Sequence, residues 1–468
     1  MVEAKLGSSE SALEFFALLM GRENVIDPKT QPEKMENYTK DLADYPSEPF
    51  LVLQPNSVEE VSQILSYAKK TKTAVVARGA GTSLTGASSS HGGLVVDFSK
   101  NMNRILKVDL VNWYVHCQAG VVLEDLNEML QKKGFFFPPD PSSAPWATVG
   151  GVVAENSGGM KCFRYGTVKD WVYALKVVLS DGTIAKLGEP LPKNRVGYDL
   201  VHLLCGSEGT LAVITEAWLK IIPRPEGITQ RKRMLIFFDD LSGVGKTIQK
   251  IRENRIQPTL LEFLDLETVH AVNMAFEEMN LPEHEATLLI EADSQIETII
   301  ELSKQSGSSG HYLAQDAADE ERLYNARAMV YLGIRAIGLS FFTEDVVVPL
   351  DKLSEYLSLV RQISKKFNIR IPVGGHAGDG NLHPIILYDK ASEESARAAM
   401  LAFGEICSYA IQVGGSVTGE HGIGEQKIGF ALEQLKAHGA GNSVELMKKI
   451  KAEWDPENIL NPGKFLLP

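Results

Sequence analysis

The stretch Arg78-Gly-Ala-Gly-Thr-Ser-Leu-Thr-Gly86 joins two short apolar segments, Ala74–Ala77 and Leu94–Phe98, which we predict to be strands. Its glycines run G-x-G-x-x-x-x-G and no helical pattern follows, so the stretch is not the dinucleotide-binding fingerprint of a Rossmann fold. Backbone N–H groups, hydroxyls and one arginine are typical of a loop that binds an anion such as a pyrophosphate. A glycine- and serine-rich surface loop without a ligand is the alternative.

The residues before this loop predict a strand and a helix. Phe50–Leu53 is a short apolar run closed by Pro55, and Asn56 or Ser57 is suited to cap a helix that extends to about Lys70. The apolar residues of this helix recur at helical spacing and share one face: Val58, Val61, Ile64, Leu65 and Ala68. A strand–helix–strand order with apolar strands predicts a small parallel α/β layer.

Further loops rich in glycine or proline follow this layer, between short predicted strands. They are Pro138–Ser143, Ala147–Gly151, Asn156–Gly159 and Gly206–Thr215. So many glycines, which have no side chain, indicate a ligand that lies close to the main chain.

Composition excludes several classes of function. The chain has 468 residues, a formal net charge of −13 and a sequence pI of about 5.4. This length predicts about three domains, and the negative charge argues against nucleic acid as a partner. The four cysteines form no C-x-x-C pair, which argues against a thiolate metal site and suits a reducing compartment. Acidic residues near the N-terminus and the lack of an apolar span predict a cytoplasmic protein, with a peripheral position at the inner face of the membrane as the alternative.

The stretch Gly374-Gly-His-Ala-Gly-Asp-Gly-Asn-Leu-His383 carries two histidines on either side of an Asp-Gly pair. Asp-Gly between short apolar runs predicts a two-residue hairpin turn. With the turn centred on Asp379-Gly380, His376 lies directly opposite His383 on one face of the hairpin. Two imidazoles placed in this way can share one divalent metal ion.

A third candidate ligand follows a long predicted helix. Glu420 and His421 come after Gly414-Gly415, and Glu420 completes a His₂Glu set with His376 and His383. Three protein ligands leave an open position, which is typical of a catalytic metal site. Zinc or manganese suits these mixed ligands, with iron as a third option. A metal-free cluster of hydrogen-bonded histidines is the alternative.

The order of these motifs resembles the flavin-binding vanillyl-alcohol oxidase and p-cresol methylhydroxylase (PCMH) family. Within that family the resemblance is greatest to the D-2-hydroxyacid dehydrogenase branch. The motifs that carry it extend from about residue 45 to the end of the chain, and they are RGAGTS, PPDPSS, ATVGG, NSGG, RYG, GSEGTLAVIT, GGHAGDGNLH, GGSVTGEHGIG and NPGK.

The resemblance implies an α+β protein with a PCMH-type FAD-binding domain of two subdomains and an α+β cap domain with an antiparallel sheet. The composition changes after Pro225. We therefore expect an N-terminal helical segment (1–45), the FAD-binding domain (46–225), a substrate-binding cap (226–415), and a C-terminal segment (416–468) that closes the active site and returns to the FAD domain.

Carried over by motif, a set of loop residues is expected to hold FAD. These residues are Arg78, Gly79, Ala80, Gly81, Thr82, Ser83, Gly86, Pro139, Asp140, Thr148, Gly151, Asn156, Gly158, Gly159, Gly209, Thr210, Ile214 and Asn461. Some relatives tether FAD covalently through a histidine in the first loop, and Thr82 stands at that position in this chain. We therefore expect non-covalent FAD.

The catalytic residues follow from the same comparison of motifs. Arg327, on a helix predicted at Asp319–Met329, matches the arginine that is expected to clamp the substrate carboxylate. Asn381 shares the face of the histidines and is expected to hold the substrate or the flavin edge. His421, beside a metal ligand, is the expected general base. FAD is the expected hydride acceptor, and the metal is expected to polarise the substrate hydroxyl.

The implied activity is oxidation of a D-2-hydroxy acid to the 2-oxo acid. D-lactate is the first expectation, because the segment Val330–Phe342 is mostly apolar and Arg335 is its only cation. Glycolate and D-2-hydroxyglutarate remain alternatives, as does an FAD-dependent alkyl transferase of the same fold. The expected partner is an electron acceptor, which is a quinone, a cytochrome, an electron-transfer flavoprotein or an iron–sulfur subunit. A homodimer is also an option.

Overall fold

The computed structural model describes residues 9–224 and 232–465, and the chain divides into two compact units. The first unit comprises residues 1–158, 167–224 and 420–468, and the second comprises residues 159–166 and 225–419. The sequence-based boundaries lie at 225/226 and 415/416, and they did not separate residues 159–166 from their neighbours. The N-terminal segment 1–45 falls within the first unit.

The β-strands of the described residues are short or of medium length and are numbered along the chain. They are β1 (Val25–Ile26), β2 (Leu51–Leu53), β3 (Val75–Arg78), β4 (Leu94–Asp97), β5 (Ile105–Asp109), β6 (Tyr114–Gln118), β7 (Phe135–Phe136), β8 (Val172–Val178), β9 (Ile184–Gly188), β10 (Val213–Lys220), β11 (Ile222–Pro223), β12 (Lys232–Phe238), β13 (Leu260–Asp265), β14 (Ala286–Ala292), β15 (Gly310–Leu313), β16 (Ser340–Thr343), β17 (Val346–Val347), β18 (Val373–His376) and β19 (Asn381–Tyr388).

The α-helices are numbered in the same way. They are α1 (Ser9–Met20), α2 (Pro32–Met35), α3 (Val58–Thr71), α4 (Leu123–Gln131), α5 (Val149–Glu155), α6 (Cys162–Tyr165), α7 (Leu200–Leu204), α8 (Ser242–Glu253), α9 (Leu266–Ala275), α10 (Ile296–Lys304), α11 (Ala317–Ala328), α12 (Val330–Ala336), α13 (Leu353–Phe367), α14 (Glu393–Gln412), α15 (Ile428–Ala437) and α16 (Gly441–Trp454). Single turns of 3₁₀ helix lie at Arg22–Asn24, Glu36–Tyr38, Val168–Trp171, Glu277–Met279, Leu350–Lys352 and Ala377–Asp379.

The first unit contains two larger sheets and a small pair of strands. The four-stranded sheet has the order β1-β2-β4-β3, with β2 and β3 both parallel to β4. The predicted parallel layer is therefore confirmed, although β4 lies between the two strands that precede it in the chain. The five-stranded sheet, in the order β5-β6-β10-β8-β9, is antiparallel, and β7 pairs with β11.

Each larger sheet of the first unit has its own hydrophobic core. One core gathers residues of β2, β3, β4 and α3, and the other gathers residues of β6, β8, β10 and α4. Helix α3 shows why the sequence folds in this way. Ser57 caps it by accepting the backbone N–H of Glu60 at 3.2 Å. The five residues of its predicted apolar face, Val58, Val61, Ile64, Leu65 and Ala68, are all buried.

The second unit is built on an antiparallel sheet of eight strands. Its order is β15-β12-β14-β13-β18-β19-β16, and β17 also pairs with β19. The helix predicted at Asp319–Met329 is α11, Ala317–Ala328. It begins two residues earlier than predicted because Asp316 caps its N-terminus, and it ends one residue earlier. Helices α9, α11 and α12 contribute buried residues to one core with β13 and β14. The α+β class and the antiparallel cap sheet are confirmed.

None of the helices in the described part of the chain is both long and apolar enough to cross a lipid bilayer.

Candidate functional site

The loop after β3 packs against the start of helix α5 in the first unit. A Cβ atom added at Gly79 would lie only 2.1 Å from Thr148 Oγ1, so the two predicted cofactor motifs meet with no room for a side chain. Gly81 and Gly86 adopt φ values of 72° and 84°, which favour glycine. The loop therefore has the bare backbone that its sequence predicts.

Arg78 lies beneath this loop. Its guanidinium donates to the carbonyl oxygens of Ser88 at 3.0 Å and Lys40 at 2.9 Å, and a Cβ atom at Gly81 would lie 2.1 Å from Arg78 Nη2. The side chain is buried. Arg78 therefore stabilises the loop through backbone carbonyls, and its part in holding FAD stays a prediction.

Two predicted cofactor residues bear buried oxygen atoms that suit a bound ligand. Thr148 Oγ1 and Asn461 Oδ1 have no hydrogen-bond partner within residues 9–224 and 232–465. The amide nitrogen of Asn461 donates to the carbonyl oxygens of Ala87 at 2.9 Å and Glu208 at 2.7 Å. Buried polar atoms are normally paired, and FAD offers many polar groups. The residues of this cradle therefore fit the cofactor.

The structure places the other predicted FAD residues unevenly. Ser83 Oγ accepts the backbone N–H groups of Thr85 and Ala87, so it stabilises its own loop. Asn156 ends α5 with φ 51° and accepts the N–H of Lys169. Ile214 is buried in the core of the five-stranded sheet, and Gly159 belongs to the second unit. The remaining members lie in the first unit: Ala80, Thr82, Pro139, Asp140, Gly151, Gly158, Gly209 and Thr210.

Sequence reasoning missed Glu208, which lies in the Gly206–Thr215 loop. Its carboxylate accepts the backbone N–H groups of Ile423 at 2.7 Å and Gly424 at 2.8 Å. Burial raises the pKa of Glu208 to about 7. Burial and the nearby charge of Glu208 also raise the pKa of Glu155 well above its usual range. A glutamate inside a glycine-rich loop was the available sequence signal.

Glu208 thereby holds the segment that carries Glu420 and His421. The hydroxyl of Thr85 donates to the carbonyl of His421 at 3.3 Å, and the N–H of Glu425 donates to Thr85 O at 2.9 Å. His421 Nε2 lies 4.0 Å from Glu420 Oε1, and both side chains are mostly buried. The first unit therefore fixes the predicted base and one predicted metal ligand against the cofactor loop.

In the second unit, the predicted pairing of the two histidines is wrong. His376 pairs with Asn381, and His383 pairs with Gly374. The connection is a turn of 3₁₀ helix at Ala377–Asp379 followed by Gly380 with φ 73°, so it is longer than two residues. A register shift of two residues leaves every side chain on its original face. The histidines are therefore diagonal neighbours on one face, with ring centroids 5.2 Å apart and planes at 87°.

A buried carboxylate, Glu262, joins two of the predicted residues. Glu262 Oε1 lies 2.8 Å from His376 Nδ1, and Glu262 Oε2 lies 2.8 Å from Arg327 Nε. The contact with Arg327 is an ion pair whose angles are not those of a hydrogen bond. All three side chains are buried. Glu262 is the one charged residue of the apolar run Leu260–Leu264 in β13, and that isolation was the sequence signal that could have identified it.

A second carboxylate, Asp345, lies beside His383. Asp345 Oδ1 lies 3.7 Å from His383 Nδ1 and accepts the amide of Asn381 at 3.0 Å. Its other oxygen accepts the hydroxyl of Thr418 at 2.7 Å and the N–H of Gly419 at 2.9 Å. Asn381, predicted to touch substrate or flavin, therefore uses its amide nitrogen on Asp345.

The tautomers of the two histidines suit metal binding. His376 Nδ1 faces a carboxylate, and His383 Nδ1 lies 3.3 Å from the carbonyl oxygen of Glu344. Both acceptors favour a proton on Nδ1, which leaves the lone pair on Nε2 of each ring. This is the usual arrangement of histidine ligands, whose other nitrogen donates to a carboxylate or a carbonyl. The residues present in the second unit therefore fit a divalent metal.

Two family models match the chain. The C-terminal domain of FAD linked oxidases matches residues 229–465, and an FAD binding domain matches residues 49–188. The chain belongs to the FAD-linked oxidase family. The first unit thus contains an FAD-binding domain, and the protein is an FAD-dependent oxidoreductase.

Curated relatives and solved structures agree with this assignment. The chain is 38% identical to the glycolate oxidase subunit GlcD of Bacillus subtilis, with 90% of each chain covered. It is 36% identical to a D-lactate dehydrogenase of Archaeoglobus fulgidus, with 90% of this chain and 92% of the relative covered. Its fold is similar to that of 4-ethylphenol oxidase from Gulosibacter chungangensis, with a TM-score of 0.79 at 19% identity and coverage of 100% and 99%. Similarity to p-cresol methylhydroxylase gives a TM-score of 0.76 at 16% identity, with coverage of 99% and 98%. The PCMH-type fold is confirmed.

Proposed function

We propose that this FAD-dependent oxidoreductase converts a D-2-hydroxy acid, with D-lactate as the first candidate, into the 2-oxo acid. The observation that carries the proposal is the joining of Arg327 and His376 through Glu262 in the second unit. A cation that suits a carboxylate and an imidazole that suits a metal are thereby brought together. The relatives named glycolate oxidase subunit and D-lactate dehydrogenase support a small hydroxy acid as substrate.

In this proposal, Arg327 binds the substrate carboxylate. Its Nε is paired with Glu262, which restrains the guanidinium, and we assign the two Nη groups to the substrate carboxylate. Burial strengthens this interaction, because a charge pair removed from water is poorly screened. Arg335 is exposed and donates to the hydroxyl of Tyr331 at 2.9 Å, which supports a substrate with one carboxylate.

We assign the metal to His376, His383 and Glu420, with zinc or manganese as the ion. Glu420 directly follows Gly419 in the chain, and Asp345 holds the N–H of Gly419. When bound, the metal supplies Lewis acidity to the substrate hydroxyl, and FAD supplies the acceptor for the α-hydrogen as hydride. His421 takes the hydroxyl proton on an imidazole nitrogen, because imidazole is a common general base and this ring follows the proposed metal ligand Glu420 in the chain. Asn381 supports the histidine face through Asp345.

Activity with a panel of substrates tests this function. The purified enzyme is assayed with the D and L forms of lactate and 2-hydroxyglutarate and with glycolate, using an artificial dye as electron acceptor. The expected result is a higher kcat/KM for D-lactate than for L-lactate, and loss of activity after EDTA treatment that added Zn²⁺ or Mn²⁺ restores. Absence of a stoichiometric divalent ion in active enzyme contradicts the metal assignment, and activity with none of these acids contradicts the reaction.

The same panel separates the alternatives. A preference for glycolate or D-2-hydroxyglutarate retains the reaction class and changes the substrate. A solved alkyldihydroxyacetonephosphate synthase shares the fold, with a TM-score of 0.70 at 19% identity. Flavin-dependent alkyl transfer is the remaining option if no hydroxy acid reduces the dye. The physiological electron acceptor we propose is a separate carrier: a quinone, a cytochrome, an electron-transfer flavoprotein or an iron–sulfur subunit.

A further inference from the structure

Glu262 is the feature of the second unit that the proposed reaction does not itself require. It lies near the middle of β13, beside β18, and its side chain is only 1% exposed. A buried carboxylate is costly unless its charge is paired and its oxygens are occupied. Each oxygen of Glu262 faces a different partner, with His376 on Oε1 and Arg327 on Oε2.

The contact with His376 fixes which ring nitrogen carries the proton. An ionised carboxylate only accepts hydrogen bonds, so Nδ1 of His376 is the donor and Nε2 keeps the lone pair. Without this acceptor the proton is free to move to Nε2, and the ring loses the lone pair with which it binds a metal. The pairing therefore selects the metal-binding tautomer before any ion arrives.

The contact with Arg327 restrains the same carboxylate from the other side. Helix α11 carries Arg327, while β18 carries His376, so Glu262 ties a helix residue and a strand residue to β13. A movement of either partner changes the position of the carboxylate that holds the other.

We infer that Glu262 is a positioning residue that sets both the tautomer of His376 and the orientation of Arg327. It thereby links metal ligation to binding of the substrate carboxylate. This inference rests on the proposed function. A simpler role, in which Glu262 only neutralises the buried charge of Arg327, makes different predictions about metal binding.

Glu291 provides a matched control on the neighbouring strand β14. Its side chain is also buried, and its Oε2 pairs with Arg233 Nε at 2.7 Å. Glu262→Gln and Glu291→Gln therefore remove equivalent charges from the same sheet. In Glu262→Gln the amide can accept from only one partner. If its oxygen faces Arg327, its NH₂ group faces His376 Nδ1 and favours the wrong tautomer.

The experiment measures Mn²⁺ binding to the FAD-loaded, metal-stripped variants by electron paramagnetic resonance, with Zn²⁺ competition as a second reading. We expect Glu262→Gln to bind Mn²⁺ about 10- to 100-fold more weakly than the wild type. We expect Glu291→Gln to bind it as the wild type does, with equal FAD content in both variants. The KM for D-lactate is expected to rise in Glu262→Gln as well, because Arg327 loses its restraint.

Two further variants cover the case in which Glu262→Gln fails to fold. Glu262→Leu/Arg327→Met removes both buried charges, so that neither is left unpaired. We expect it to fold and still to bind Mn²⁺ weakly, whereas Arg327→Met alone keeps the carboxylate beside His376 Nδ1 and is expected to bind Mn²⁺ more tightly than the double variant. If Glu262→Gln, or the double variant in its place, binds Mn²⁺ like the wild type, Glu262 does not set the tautomer. If the wild type itself binds no Mn²⁺ or Zn²⁺, the metal assignment fails, and with it the link from Glu262 to metal ligation.

Discussion

His376 lies directly across the β18–β19 hairpin from Asn381, and His383 is its diagonal neighbour on the same face. This pairing places an amide, rather than a second imidazole, opposite the first histidine. Asn381 in turn donates to Asp345, which accepts the N–H of Gly419 immediately before Glu420. The side chains of the hairpin therefore contact buried carboxylates: His376 contacts Glu262, and Asn381 contacts Asp345.

We predict that His421→Ala retains FAD and metal but loses nearly all turnover. The backbone of this residue is held by Thr85, and Glu208 holds the two residues Ile423 and Gly424, so removal of the ring leaves the segment in place. General bases typically contribute about 10²- to 10⁴-fold to the rate, and kcat with a dye acceptor measures the loss. His270→Ala, at an exposed histidine in the second unit, is the control. A kcat near that of the wild type would remove His421 from the role of base.

We predict that Gly79→Ala lowers the FAD content of the purified protein. The added methyl group would lie 2.1 Å from Thr148 Oγ1, so the Thr148 side chain, the cofactor loop or the start of α5 must shift. Gly429→Ala is the matched control, because a Cβ atom there meets nothing within 4 Å and the residue lies in helix α15. The ratio of flavin to protein absorbance measures the effect. Equal ratios in the two variants would show that close packing at Gly79 is not needed for FAD binding.

We predict that Asp265 makes stability depend on pH. Asp265 caps α9 by accepting the N–H of Thr268 at 2.9 Å, and it accepts the N–H of Val373 at 3.0 Å. Burial raises its pKa from 3.8 to about 7. When folding raises the pKa of an acidic group, the group makes its full contribution to stability at pH values below its pKa in the unfolded chain. That contribution disappears as the pH rises from about 4 to about 7.

The variant Asp265→Asn isolates this effect, because asparagine does not titrate. Its stability deficit relative to the wild type should shrink as the pH rises through this range, by a few kcal/mol at most, since each pKa unit corresponds to about 1.4 kcal/mol. Urea unfolding at several pH values provides the measurement. A deficit that is constant from about pH 4 to about pH 7 contradicts the raised pKa.

We predict that FAD is bound without a covalent link. Thr82 stands in the loop position where some relatives carry a tethering histidine, and a threonine hydroxyl does not form that bond with the flavin ring. Precipitation of the protein with acid should leave the yellow colour in the supernatant. Colour that remains in the washed pellet would contradict this prediction.

The local structure was largely predictable from the sequence. The spacing of apolar residues in α3 predicted its buried face, because residues three or four positions apart lie on the same side of a helix with 3.6 residues per turn. The glycine-rich motifs led to FAD as the cofactor, which the matching FAD-binding domain supports, and the loops that hold it stay a prediction. The face shared by His376 and His383 was also predictable, since side chains alternate along a strand whatever the register.

The contacts that give these residues their chemistry were decided only by the tertiary structure. Glu262 meets His376 across 114 residues of sequence, and Glu208 meets Ile423 across 215. Such contacts depend on the order of strands in a sheet and on the exact length of a turn, neither of which hydrophobic periodicity encodes. The sequence determined which groups face inward. The placement of β13 beside β18 brought the buried carboxylate of Glu262 to His376, and the packing of α11 in the same core as β13 brought it to Arg327, because a buried carboxylate is stable only where partners are near it.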